Sequence, residues 1–177
     1  QALSILQMPA YGNKREEVDV QLNYGFLLHT QGHARQAQAR YRTALELAGE
    51  LQHQTAASKI LYLMGMLAEG DGRLQTAYRA YRRSVEVIER MRELQQSEET
   101  RIGLLGIRQY VYQSLVLLCL QLGRIEEALG FVERAKARAF LDQLGENGAS
   151  GLLSERPLRC HAIQRRLRSD EVLIEYY

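Results

Sequence analysis

The sequence has 177 residues, of which 46% are hydrophobic and 25% charged, and its formal net charge is +2. This composition is typical of a folded globular protein and argues against a disordered chain. The balanced charge gives no reason to expect nucleic acid or an anionic membrane as a partner. The most apolar stretch, Tyr110–Leu122, is too short to span a bilayer. Two cysteines do not make a disulfide framework, so we expect a reducing, cytoplasmic setting.

The region between the two prolines, Pro9 and Pro157, contains no residue that forbids long helices. Its apolar residues recur at helical spacing, and good helix formers dominate its composition. In chain order, the pattern predicts helices at about 14–31, 34–53, 56–70, 74–96, 99–122 and 125–143. Residues 1–12 are interpreted as the tail of an earlier helical hairpin.

Three stretches of the sequence align with one another, which indicates an internal repeat. Each has a glycine between two predicted helices, where a left-handed backbone ends the first helix. Small residues five and twelve positions later let the two helices approach closely. The aligned positions are the turn glycines Gly32, Gly72 and Gly123, the small residues Ala37, Ala77, Ala128, Ala44, Ser84 and Ala135, and the apolar or aromatic residues Tyr41, Tyr81 and Val132. Gly25 and Gly65 also correspond, and the third stretch has Val116 there.

These positions resemble the tetratricopeptide repeat. The resemblance implies an all-α fold, a solenoid of helical hairpins at about 14–53, 56–96 and 99–143, with residues 1–144 as the repeat array. The steps from Ala37 to Ala77 and from Ala77 to Ala128 are 40 and 51 residues. Because the usual period is about 34 residues, we expect longer helices than usual.

Tetratricopeptide arrays usually bind proteins or peptides with the inner face formed by the first helix of each hairpin. By this resemblance the candidate binding residues are Leu22, Phe26, His29, Lys59, Tyr62, Met66, Tyr110, Gln113 and Leu117. The alternative is that Leu22, Phe26 and Leu117 only pack between hairpins. Related arrays that grip a terminal carboxylate have Lys and Asn where Leu22 and Phe26 stand, so an apolar or amphipathic helix is the expected ligand.

The character of the sequence changes after Leu144. Gly145–Gly151 has the composition of a flexible linker, which we extend to residues 145–156. Pro157 suits the first turn of a short helix that reaches about Leu167. The final residues, Val172–Tyr177, are β-branched and aromatic and predict a stray β-strand. We interpret residues 157–177 as the start of a following domain.

A second resemblance comes from the end of the array. The run GRIEEALGFVERAKARAFLDQLG, then a linker, a short helix and DEVLIEYY, is similar to the repeat region that precedes a CHAT domain, a caspase- and separase-like cysteine peptidase domain. ERAKARAFLDQL at 133–144 is its most specific part. The resemblance implies a scaffold that recruits partners or substrates for a peptidase domain not present in this chain. The alternative is a free-standing adaptor with no enzymatic partner domain.

No residue matches the catalytic His or Cys of that family, so we expect this chain not to be an enzyme and to need no cofactor. Cys160 and His161 are adjacent and would point about 100° apart on a helix, which is unsuitable for a nucleophile and its base. Cys119 lies in an apolar stripe and is predicted to be core. His29 and His33 have the spacing of zinc ligands, but Gly32 lies between them and no acidic ligand is obvious.

The remaining polar candidates are assigned to the surface. His53 stands alone in the sequence and is predicted to be a surface residue. A basic cluster, interpreted as a solvated helix face or a contact with a following domain, comprises Arg156, Arg159, Arg165, Arg166 and Arg168.

Overall fold

The computed structural model describes residues 11–93, 98–144 and 165, with side chains for 14–91, 109–136 and 165. These residues contain six α-helices, namely α1 (Tyr11–Thr30), α2 (Ala34–Glu50), α3 (Gln54–Gly70), α4 (Leu74–Glu93), α5 (Glu98–Gln121) and α6 (Ile125–Leu144). The described residues are all-helical and contain no β-strand, so the predicted all-α class is confirmed for this part of the chain.

Several predictions fall on residues outside this description. They are the linker at 145–156, the short helix from Pro157, the strand at Val172–Tyr177 and the Cys160–His161 pair. Of the basic cluster only Arg165 is described, and its side chain is exposed. The chain divides into two compact units, residues 1–111 and 112–177. The predicted domain boundary at residue 144 stays a prediction.

Within the first unit, consecutive helices pack as antiparallel neighbours. α1 packs on α2, α2 on α3 and α3 on α4, and α1 also contacts α3. The buried cluster that joins the first three helices comprises Val18, Leu22, Leu28, Ala37, Tyr41, Ala44, Ala48, Ala56, Ile60, Leu63 and Leu67. The predicted role of the small residues is confirmed here, because Ala37, Ala44 and Ala77 are fully buried. Helices that meet through alanine approach closely and exclude water from the contact.

The turns inside the hairpins share one hydrogen-bonding pattern. After α1, the His33 amide donates to the Leu28 carbonyl at 2.9 Å, and the Gly32 amide donates to the His29 carbonyl at 3.0 Å. This is the Schellman arrangement, which needs a left-handed residue just past the helix. Gly32, Gly72 and Gly123 have φ of 78°, 72° and 71°, so the glycine assignment made from the sequence is confirmed.

The turn between the first two hairpins has the same pattern without glycine. The His53 amide donates to the Ala48 carbonyl at 2.8 Å, and the Gln52 amide donates to the Gly49 carbonyl at 3.1 Å. Gln52 therefore adopts a φ of 50°. Because a left-handed end terminates α2, this helix stops at Glu50, before the predicted residue 53, and α3 begins at Gln54, before the predicted residue 56.

The second unit contains the end of α5 and the start of α6. The Arg124 amide donates to the Cys119 carbonyl at 2.8 Å across the Gly123 turn. Side chains buried in this unit include Tyr112, Leu115, Val116, Leu118, Cys119, Ala128, Phe131 and Val132. The core position predicted for Cys119 is therefore confirmed.

Candidate partner-binding face

Two stripes of side chains lie on α1 and α3, and the 40-residue register relates Leu22 to Tyr62 and Phe26 to Met66. Their residues, which we call the α1–α3 face, are Leu22, Phe26 and His29 on α1 and Lys59, Tyr62 and Met66 on α3. The spacings within each stripe, three or four residues, keep its members on one side of their helix. Phe26 follows Gly25 as Met66 follows Gly65, and the two helices are in contact.

The apolar members of this face differ in exposure. Phe26 is 46% exposed and Met66 is 37% exposed, whereas Leu22 is only 3% exposed. Leu22 belongs to the buried cluster between α1, α2 and α3. It therefore packs in the core and is removed from the set of residues available to a ligand, which corrects the assignment made from spacing. Phe26 and Met66 remain as large apolar side chains open to solvent.

His29 and Tyr62, the other aromatic members of the face, are each partly buried. The Tyr41 hydroxyl lies 3.5 Å from His29 Nδ1, and the two rings meet edge to face with centroids 6.4 Å apart. The Tyr62 ring lies 5.7 Å from the Tyr81 ring. Burial raises the pKa of Tyr41 to about 12, so its hydroxyl stays protonated. These contacts join each residue to the second helix of its own hairpin.

Charged side chains lie at the end of the face nearest the start of each helix. Lys59 is exposed and forms no ion pair with the described residues. Asp19 occupies the equivalent position on α1, 40 residues earlier, and is also exposed. Sequence reasoning missed Asp19, although the 40-residue register applied to Lys59 identifies it. The register therefore gives one anion on α1 and one cation on α3, each seven residues before the exposed apolar residue of its helix.

The three remaining candidate residues lie on α5. Tyr110 is 60% exposed, Leu117 is 58% exposed, and Gln113 is exposed. Their spacings of three and four residues place them on one side of α5. Tyr110 belongs to the first unit, and the other two residues belong to the second.

The described residues offer no reactive cysteine site. The Cys119 side chain is fully buried, and burial, with a smaller effect of the Glu127 charge, raises the pKa of its thiol to about 11. A thiol with this pKa is protonated at neutral pH and is a poor nucleophile.

The described histidines lie at the ends of helices. Among the described residues there is no group of three His, Cys, Asp or Glu side chains placed to hold a metal ion. His29 lies at the end of α1, whereas His33 is the exposed N-cap of α2. His53, predicted to lie on the surface, is the N-cap of α3 and is partly buried, with no hydrogen-bond partner for its buried Nδ1. In the described part of the chain, no helix is both long and apolar enough to cross a membrane.

Comparison with known proteins bears on the fold. No model of a known protein family matches the sequence. The chain is 28% identical over 123 residues, or 68% of its length, to mouse tetratricopeptide repeat protein 28, and it spans 5% of that protein. The crystal structure of the tetratricopeptide domain of Arabidopsis FLU matches 72% of the chain and 98% of that domain, with a TM-score of 0.56 and 21% identity. The fold is tetratricopeptide-type.

The tetratricopeptide fold predicted from the glycine and alanine positions is thereby confirmed. Arrays of such helical hairpins commonly offer extended surfaces for binding other proteins. The link to a CHAT domain rests on the sequence resemblance alone, of which the ERAKARAFLDQL run is the most specific part.

Proposed function

We propose that the chain is a protein-interaction scaffold whose α1–α3 face binds an amphipathic helix of a partner protein. The exposed Phe26 and Met66, at equivalent positions on two contacting helices, carry this proposal. Large exposed apolar side chains that sit together on a surface mark an interaction site. Aromatic and methionine side chains are also enriched at the centres of such interfaces.

The chemistry of the face favours a helix over a free chain end. A terminal carboxylate needs several hydrogen-bond donors directed at one point. Lys59 is the only exposed cation of the α1–α3 face, and Phe26 and Leu22 stand where carboxylate-binding arrays have polar residues. An amphipathic helix would instead place apolar anchors on Phe26 and Met66 and polar residues near Asp19 and Lys59.

The second part of the proposal concerns the domain to which the scaffold is attached. The ERAKARAFLDQL run, which forms the second half of α6, favours a polypeptide in which the array recruits partners or substrates for a CHAT-type cysteine peptidase domain. The alternative is a free-standing adaptor. A His and a Cys, each just after a predicted strand in the residues following Tyr177, would favour the first, and their absence would favour the second. The cytoplasmic location predicted from the cysteine count stays part of this proposal.

Site-specific photo-cross-linking tests the binding face. A benzophenone amino acid is placed at Phe26 in the 177-residue chain, and in a matched control at Leu27, which is 50% exposed. Adjacent positions on a helix point about 100° apart, so the two probes sample different surfaces. We expect position 26 to capture a segment with helical apolar spacing that position 27 does not capture. Equal capture at both positions, or no capture at position 26, would contradict the proposal.

A further inference from the structure

A row of arginines lies on the exposed side of α4. Arg79, Arg83 and Arg90 are all exposed, and their spacings of four and seven residues keep them on one side of the helix. We call these three residues the arginine stripe. At a rise of about 1.5 Å per residue, the stripe is about 16 Å long. None of the three forms an ion pair with the described residues.

The neighbouring carboxylates of α4 do not neutralise the stripe. Glu86 lies on the same side of the helix, but its Oε1 accepts a hydrogen bond at 3.0 Å from the Nε of Arg82, another exposed residue. Glu89 is partly buried and, as the neighbour of Arg90 in the sequence, points about 100° away from it. The stripe therefore keeps the positive charge of its three guanidinium groups.

The fold does not require arginine at these positions. In the 40-residue register, the stripe corresponds to Ala39, Thr43 and Glu50 on α2, which are also exposed. Of two helices with equivalent places in their hairpins, one has three cations there and the other has none. Like charges four residues apart destabilise a helix, so the pair Arg79 and Arg83 opposes the folding of α4. A group of charges that folding does not need, and that opposes it, favours a role in binding.

We propose that the arginine stripe binds an acidic segment of a partner protein, through aspartate and glutamate side chains spaced along that segment. A guanidinium group holds a carboxylate through two parallel hydrogen bonds, and three guanidinium groups in a row suit carboxylates distributed along a chain. The stripe lies on α4 and shares no residue with the α1–α3 face. It is therefore a second interaction surface, beyond the function proposed above.

Other anionic partners fit the stripe less well. A single phosphate group needs donors that converge on one point, whereas these arginines are spread over about 16 Å of one helix. A nucleic acid needs an extended basic surface, but the exposed side of α2 carries Glu46 and Glu50, and the net charge of the chain is only +2. A helix that binds a membrane surface needs large apolar side chains beside its cations, and the exposed described residues of α4 are all polar or charged.

Fluorescence anisotropy with a synthetic probe tests the stripe. The probe is a labelled helical peptide with glutamates at helical spacing on one side, and a reference peptide has glutamine at each of those positions. The stripe variant combines Arg79→Gln, Arg83→Gln and Arg90→Gln in the 177-residue chain. Titrations are made at about 0.15 M salt, where charges far from the stripe are screened.

A matched control separates the position of the charges from their number. The control variant combines Arg15→Gln, Arg35→Gln and Arg42→Gln, which remove the same charge from exposed positions on α1 and α2. We expect the glutamate peptide to bind more tightly than the glutamine peptide, and the stripe variant to bind it at least about 10-fold more weakly than the wild-type chain does. The control variant should stay within about 2-fold of wild type, because its stripe is intact.

Three results would overturn the proposal. One is equal binding of the two peptides, and another is an equal loss of affinity in the stripe and control variants. The third is tighter binding of a singly phosphorylated peptide, a single-stranded oligonucleotide or phosphatidylserine vesicles that the stripe variant abolishes, which would assign the stripe to that partner. Thermal melts give an independent check, because removing like charges should leave the melting temperature unchanged or raise it. A clearly lower melting temperature of the stripe variant would show that the arginines stabilise the fold, against the proposal.

Discussion

Gly25 and Gly65 each lie under a tyrosine ring of the second helix of their hairpin. A Cβ at Gly25 would come within 2.8 Å of the Tyr41 ring, and one at Gly65 would overlap the Tyr81 ring. The Tyr81 hydroxyl donates to Glu69 Oε2 at 2.6 Å, which anchors the ring from the other end. The third stretch has Val116, Leu120 and Val132 at the corresponding positions, so glycine, tyrosine and its polar partner are replaced together. This exchange agrees with the contact, because the tyrosine ring leaves no room for a Cβ at the glycine position.

Replacing Gly65 tests this coupling. Gly65→Ala should lower the free energy of unfolding by about 1–3 kcal/mol, because the added methyl overpacks the contact. In a Tyr81→Val background the same change should cost much less, since the ring is gone. Gly70→Ala is the matched control on α3, because a Cβ there meets nothing within 4 Å. Urea titrations of the wild-type chain, Gly65→Ala, Tyr81→Val and the double variant give the coupling energy. An equal cost of Gly65→Ala in both backgrounds would refute the coupling between glycine and ring.

The buried thiol of Cys119 makes a second prediction at this scale. With Cys160→Ala removing the other thiol, alkylation by iodoacetamide at pH 8 should be at least about 100-fold slower in the native chain than in urea, because a pKa of about 11 suppresses the thiolate. Since the pKa is raised in the folded state, the unfolded chain loses this proton first. Stability should therefore fall as pH rises from about 9 towards 11. Native and unfolded rates within a few-fold of each other would show that Cys119 is accessible.

The turns after α1, α2, α3 and α5 share one backbone conformation, with a left-handed residue just past the helix. The turns after α1, α3 and α5 place glycine at the left-handed position, and the turn after α2 places Gln52 there. The repeated glycines made the hairpin turns predictable from the sequence. The turn at Gln52 was not predictable, because glutamine carries no sequence signal for a left-handed backbone.

Exchanging residues at this position should give opposite effects. Gln52→Gly relieves the steric cost of a left-handed non-glycine residue, about 1–2 kcal/mol, and should stabilise the chain by somewhat less because glycine gains entropy when unfolded. Gly72→Ala introduces that cost at the equivalent turn and should destabilise the chain by about 1 kcal/mol. Thermal melts followed by circular dichroism report both changes. Destabilisation by Gln52→Gly would mean that its side chain has a role of its own.

At the scale of the whole molecule, most of the predictions that the structure confirms came from the internal repeat. It placed the six helices to within a few residues at their ends, the turn glycines, and the buried Ala37, Ala44 and Ala77, because each depends on local spacing. It misassigned Leu22, since a residue four positions from Phe26 lies on the same side of the helix whether or not a neighbour covers it. Coverage depends on how far α3 approaches α1, which the sequence pattern does not specify.

The central claim is that the α1–α3 face binds an amphipathic helix, and calorimetry with the segment captured at position 26 tests it most directly. Phe26→Ala should weaken binding by at least about 10-fold, or about 1.4 kcal/mol, because an aromatic anchor is lost. Leu27→Ala removes a neighbouring side chain of similar exposure from a different side of α1 and should leave the affinity unchanged. An unchanged affinity for Phe26→Ala, or an equal loss for both variants, would contradict the account.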